Sequence, residues 1–237
     1  MTHALRSPLQ EHAKRFFAAF AALVLWLLFE NCCIWAVSAS DLRKHEHTQP
    51  LQDNLVLAFK LLQAQLPPWV AQLLLGAFKH EWISIKEKLV ALIALGFAAV
   101  FDEVPYSGFG MCTRTVACIA CARAIRTAAF MLTVVPSPRP GCYAGRFPPV
   151  PDTALEFFHI GFAKLRSGGG CNDLILSGHG VIYSAVVCAF SEFYPGWTSK
   201  LLWLALIRSN IRGPLTLQHY SVGAPRAAHP AHVFFSS

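Results

Sequence analysis

Charge is what this chain has least of. Only 14% of its 237 residues are Asp, Glu, Lys or Arg, while 54% are hydrophobic. Soluble domains carry about a quarter charged residues, so two soluble domains are a poor reading and one multispan membrane domain is expected. The mean hydropathy of +0.43 agrees. Although the net charge is +7, the sequence has no block of about five or six like charges, which argues against nucleic acid as a partner. Scattered basic residues beside apolar runs suit a bilayer containing anionic lipid. There is no internal repeat. Cys118-x-x-Cys121 has no second ligand pair at zinc spacing, so no metal is expected, and no cofactor either.

The eight cysteines do not form a disulfide scaffold. Cys32, Cys33, Cys118, Cys121 and Cys188 lie in apolar runs and read as small buried hydrophobes. Cys142 and Cys171 flank one polar loop. They are able to pair if that loop faces an oxidising lumen.

The apolar runs set the expected architecture: an all-α, polytopic transmembrane bundle. Residues 1–15 are a polar tail, and the membrane domain runs from 16 to 222. Spans are predicted at about 16–37, 83–101, 115–135 and 174–193, with a weak fifth at 200–212 that Arg208 and Arg212 interrupt. The first run would be about 33 Å long as a helix, enough to cross. It has no clean small-residue cleavage site, so it reads as an uncleaved span rather than a signal sequence. Glu30 and Asn31 near its far end are expected close to the interface. Leu55–Leu66 reads as a surface helix, stopped by Pro67-Pro68. Trp69–Phe78 is too short to cross and reads as interfacial or packed against other helices. Arg123 and Arg126 fall inside the third span, where each arginine costs about 2.5–3.5 kcal/mol, so they are expected to face the bundle interior or a wet cavity. Residues 137–173 read as a long loop. With a cytosolic N-terminus, that loop, His179 and His219 lie on the lumenal or external side.

Chemistry concentrates in two histidines forty positions apart, His179 and His219. The interval matches two crossings of about 20 residues each, which would return both imidazoles to one membrane face. Phosphoryl transfer needs a nucleophile, a proton donor for the leaving oxygen and cations around the phosphate. Gly168-Gly169-Gly170 before the fourth span, with Arg123 and Arg126, would supply phosphate-holding groups. Each part also has a plainer reading. The glycines are then a flexible loop, residues 171–173 a helix cap, His179 an interfacial residue, and the arginines snorkelling chains.

In combination these residues resemble a known family. Gly170-Cys171-Asn172-Asp173-x-x-x-Ser177-Gly178-His179 is similar to the Cys-Gly-Asp-x-x-x-Ser-Gly-His motif of sphingomyelin synthases and related ceramide phosphotransferases. These belong to the type 2 phosphatidic acid phosphatase superfamily. His219-Tyr220-Ser221-Val222 is similar to their second motif, and Arg123 to Pro138 resembles their third span and its exit. The similarity covers roughly residues 115–222. It implies a six-span membrane enzyme, with about four to five of those spans present here. That enzyme would move a phosphorylated headgroup from a glycerophospholipid to ceramide through a phosphohistidine. By resemblance, His219 is the nucleophile and His179 handles the leaving-group proton. Ser177, Gly178, Asp173, Arg123 and Arg126 would hold the phosphate. The implied location is a Golgi, other endomembrane or plasma membrane, with the site lumenal or external.

Two departures stand out. Gly223 occupies the place of the family's orienting Asp, and Gly180 stands where Thr is usual. The last span that should begin at His219 is absent, and residues 223–237 are unlike a membrane helix. A truncated or frame-shifted gene sequence after Val222, whose true continuation restores the Asp and a last span, is the expected reason. The alternatives are a lipid phosphate phosphatase and a catalytically inactive membrane protein that binds lipid.

Overall fold

The computed structural model describes residues 8–40, 51–101, 108–137, 142, 152–163, 171–172, 176–216 and 218. Among the described residues there are eight helices and no strand. The long ones are α1 (Pro8–Ser40), α4 (Glu81–Phe101), α5 (Gly108–Leu132), α7 (Gly178–Phe193) and α8 (Trp197–Leu215). Three shorter helices lie between them: α2 (Asn54–Gln65), α3 (Pro68–Lys79) and α6 (Ala154–Ala163).

Helix α7 is the hub. It is apolar nearly all round, and most of its length, from Gly178 to Phe190, is buried. A helix without a polar face needs apolar neighbours on every side. Here Tyr183, Val186, Val187 and Phe190 pack with Ala91 and Leu95 of α4, Met111 of α5, and Leu202 and Leu206 of α8. On the other flank Ala185 and Cys188 meet Cys118 and Ile119 of α5 and Leu23 of α1. Small residues at these crossings let the helices approach closely, as in membrane bundles. Gly108 is required for one such approach, since a Cβ there would collide with the Ala99 carbonyl.

Neighbour pairs fix the helix directions. Phe16 meets Phe109 and Glu30 meets Arg123, so α1 and α5 run parallel. Tyr194, just past α7, donates to the Ala98 carbonyl near the end of α4, so α4 and α7 run together. Ser199, early in α8, bonds Ser191 late in α7 at 2.6 Å, which makes that pair antiparallel. One end of the bundle therefore gathers the C-terminal ends of α1, α5 and α8 and the N-terminal ends of α4 and α7. It is called the head end below.

Among the described residues, two helices are long and apolar enough to cross a membrane: α1 through Glu11–Ser38, and α5. Many outward side chains are apolar, including Phe17, Leu25 and Phe29 on α1, Ile93 and Phe97 on α4 and Leu204 on α8, while charged ones such as Arg15 on α1 and Arg114 on α5 lie toward the helix starts. Exposed apolar surface of this extent marks an interaction surface, of which a membrane is one kind.

The structure corrects several expectations. The long loop contains α6. The weak fifth segment forms a 19-residue helix that includes both arginines and Pro214. Cys121 is exposed, not buried, because it lies on the outward face of α5, where an apolar surround makes a small thiol harmless. Glu30 was expected close to the interface, and the structure adds that it is enclosed by protein. It is fully buried, and the reason is electrostatic.

Candidate functional site

Everything polar at the head end is organised around the entry to α7. Glu30 of α1 is 0% exposed and faces two arginines of α5. One carboxylate oxygen lies 2.7 Å from Arg123 Nε, and the other pairs with Arg126 Nη1. A carboxylate in so apolar a place needs partners, because desolvation of an isolated charge is prohibitive. The pairing also explains how two arginines are tolerated within an apolar helix. Arg126 then reaches past α5 and donates from Nε to the Leu176 carbonyl at 2.7 Å. Its guanidinium also lies 5.3 Å from the centre of the Phe130 ring.

Leu176 immediately precedes Ser177, the residue that caps α7. The Ser177 hydroxyl accepts from the Gly180 N–H at 3.1 Å, the usual work of Ser at this position. Cys171 and Asn172 are therefore not the cap. Asn172, fully buried, instead donates from its side-chain amide to the Val135 carbonyl at 3.0 Å. Cys171 donates its N–H to the Ser38 hydroxyl at 3.1 Å and forms a disulfide with Cys142. The approach to α7 is thus fastened to the end of α1, to the exit of α5 and to residue 142.

Gly178 follows from this arrangement. A Cβ there would collide with Arg123 Nη1. That guanidinium is held by Glu30, so it has little room to retreat. Gly178→Ala is expected to destabilise the protein by about 1–3 kcal/mol, read as a lower unfolding midpoint in detergent. An unchanged midpoint would show that Arg123 moves freely.

Next to this first turn a partly enclosed polar cavity of about 50 Å³ is lined by Lys88 of α4, by Ser177, His179 and Gly180 of α7, and by Ser209 and Arg212 of α8. His179 is exposed into it. The charges that reach His179 are all positive: Lys88, Arg123 and Arg126. No carboxylate lines the cavity among the described residues, and the first turn of α7 adds the positive end of a helix dipole. The arrangement favours an anion. It contains no cluster of His, Cys, Asp and Glu able to hold a metal among the described residues.

The sequence-based site is therefore assembled in part. Ser177, Gly178, His179, Arg123 and Arg126 come together at the head of α7. The two arginines, however, stand behind Gly178, committed to Glu30 and a carbonyl, and the cations facing the cavity are Lys88 and Arg212. Neither was singled out from sequence, since each sits in an apolar segment and has no motif. His219 and Asp173 lie outside the described residues, as do Gly168-Gly169-Gly170. Among the described residues His179 is the only histidine lining the cavity.

No protein-family model matches the chain. It is similar to the Protein PHLOEM UNLOADING MODULATOR of Arabidopsis thaliana, with 28% identity over 264 aligned positions, covering 87% of this chain. The chain spans 62% of that relative's length. The name of the relative points away from sphingomyelin synthases and ceramide phosphotransferases, and this overturns the resemblance drawn from the two histidine motifs. Transfer of a headgroup to ceramide, with its phosphatase and lipid-binding alternatives, is set aside. Short motifs of Gly, Ser and His at a helix entry also arise from capping and close packing, which is the use the structure makes of Ser177 and Gly178.

Proposed function

We infer that this chain is a polytopic membrane protein acting in phloem unloading, the process named for its relative. We further infer that the cavity at the head of α7 binds a phosphate-sized oxyanion as part of that role. One observation carries the anion reading: a cavity lined by Lys88, Arg212, His179 and hydroxyls, with no carboxylate among its described residues. The lipid bilayer is the partner that the apolar exterior requires, with α1, α4, α5, α7 and α8 crossing it alternately. The Cys142–Cys171 disulfide supports a lumenal or external head end, since such bonds persist in oxidising compartments. The N-terminus is then cytosolic.

Titration of the purified full chain with inorganic phosphate tests the site. Loss of one charge-assisted hydrogen bond removes about 1.5–3 kcal/mol. Lys88→Met should therefore weaken binding about ten- to a hundredfold while leaving the unfolding midpoint in place. Equal affinity in the native chain and the variant would exclude the cavity as an anion site. The process is tested separately. A plant lacking the relative should regain unloading of a fluorescent phloem tracer when it expresses this chain, and no recovery at normal protein levels would remove that assignment.

A further inference from the structure

The pair α2–α3 lies against α8 at the side of the bundle just described, and its outward composition calls for a further partner. None of the residues of α2 is buried. Its outward surface nonetheless carries Leu55, Leu57, Leu61 and Leu62, and α3 adds Trp69 and Leu73, the last two 70% and 69% exposed. The inner contacts run mainly from α3 to α8. Phe59 meets Phe78 between the two helices, and Arg208 of α8 donates to the Ala77 carbonyl at 2.9 Å, fixing the far end of α3. A helix apolar on its outward face and uncovered by protein marks a membrane or partner surface, and here length and topology select lipid.

Length decides how that lipid is met. Each helix has 12 residues, about 18 Å at 1.5 Å per residue, whereas the hydrocarbon core is about 30 Å thick. Neither can cross. Pro67-Pro68 turns the chain between them, with Pro68 opening α3, a position where its missing N–H is harmless. Topology demands the same result. The end of α1 bonds Cys171 through Ser38, and Lys88 early in α4 lines the cavity beside His179. The chain leaves α1 and enters α4 at the same end of the bundle, so the segment between them starts and finishes on one side. Polar residues mark both of its ends: Gln52 and Asp53, which caps α2 through the Leu55 and Val56 N–H groups, and His80 after α3. The apolar surface of the pair also continues onto α8 at Leu204 and Ile207.

We propose that α2–α3 is a helical hairpin embedded in the single membrane leaflet at the head end of the bundle, with the acyl chains of that leaflet covering Leu57, Leu61, Leu62 and Leu73. The hairpin adds protein volume to one leaflet and none to the other. Such insertions respond to membrane curvature and lipid packing. This inference rests on the membrane reading above and is independent of the anion site.

The test uses the full chain in vesicles, with its six free cysteines replaced by alanine and single cysteines introduced. Leu61→Cys and Leu73→Cys, labelled with an environment-sensitive fluorophore, should be quenched by nitroxide-bearing lipid acyl chains. They should react with a water-soluble maleimide on the order of tenfold more slowly than Gln52→Cys, since no water reaches the acyl region. Gln52→Cys and His80→Cys should label from the same side. Leu25→Cys on α1 serves as the membrane reference. If Leu25→Cys is quenched and Leu61→Cys and Leu73→Cys are not, the hairpin is not in lipid and the proposal fails. Labelling of Gln52→Cys and His80→Cys from opposite sides would also overturn it. An unquenched Leu25→Cys would instead overturn the membrane reading itself.

Discussion

Glu30→Ala is expected to destabilise the protein by about 3–5 kcal/mol, the range for breaking a buried ion pair from one side. Two arginines would be left in the bundle without their carboxylate, in a place where water cannot substitute. The damage should be local and readable. Arg126, no longer held from behind, would lose its aim at the Leu176 carbonyl, and the cap of α7 would loosen with it. Glu30→Gln keeps the shape and removes the charge, so its cost should be smaller, about 1–3 kcal/mol. Adding Arg126→Leu to Glu30→Ala should recover part of the loss, because the groups share one network and their effects are not additive. Denaturant unfolding of five proteins in one detergent, the native chain, Glu30→Ala, Glu30→Gln, Arg126→Leu and the double variant, measures all of this. Strict additivity of the two substitutions would mean that the pair is not coupled.

Removal of the disulfide is the second large effect. Cys142 and Cys171 are 29 positions apart, and closing a loop of that length stabilises the native state by about 3–4 kcal/mol on the chain-entropy account. Cys142→Ser with Cys171→Ser should lower the unfolding midpoint accordingly. The loss should be largest around α7, because Cys171 also carries the N–H bond to Ser38 and precedes Asn172. Thiol counting checks the bond directly. The denatured, unreduced native chain should titrate six thiols, matching its six free cysteines, and all eight only after reduction. Eight thiols without reduction would remove both the disulfide and its support for a lumenal head end.

How far these features were legible depends on what each residue announces. Apolar runs announce helices, and the helical content of α1, α4, α5 and α7 was readable from them. Boundaries were less so. The reading began the fourth segment at Leu174, but α7 begins at Gly178 because Ser177 caps it. The strength of α8 was underestimated because Arg208 was counted as an interruption. In the fold Arg208 is satisfied by Glu87 at 2.5 Å and by the Ala77 carbonyl, so it strengthens the helix packing.

The site shows the same limit. Arg123 and Arg126 were noticed as costly charges facing inward. Glu30 was assigned to an interface, although one buried carboxylate and two buried arginines in different apolar helices are natural partners. That signal was available as charge balance, not as a motif. Lys88 and Arg212 offered no local clue, since only the directions of α4 and α8 bring them beside His179. The short motifs around both histidines led to a family that the comparisons overturn. The Ser-Gly-His stretch has a sufficient structural reason in the cap and in the close approach of Arg123.

The claim on which the account turns is that the cavity at the head of α7 is an anion site open to the non-cytosolic side. Ser209→Cys, in the chain whose six free cysteines are alanine, reports on it directly. In sealed vesicles of known orientation, a membrane-impermeant maleimide added at the non-cytosolic face should label this cysteine, and saturating inorganic phosphate should slow the reaction. Labelling only from the cytosolic face, or labelling at the same rate with and without phosphate, would contradict the account.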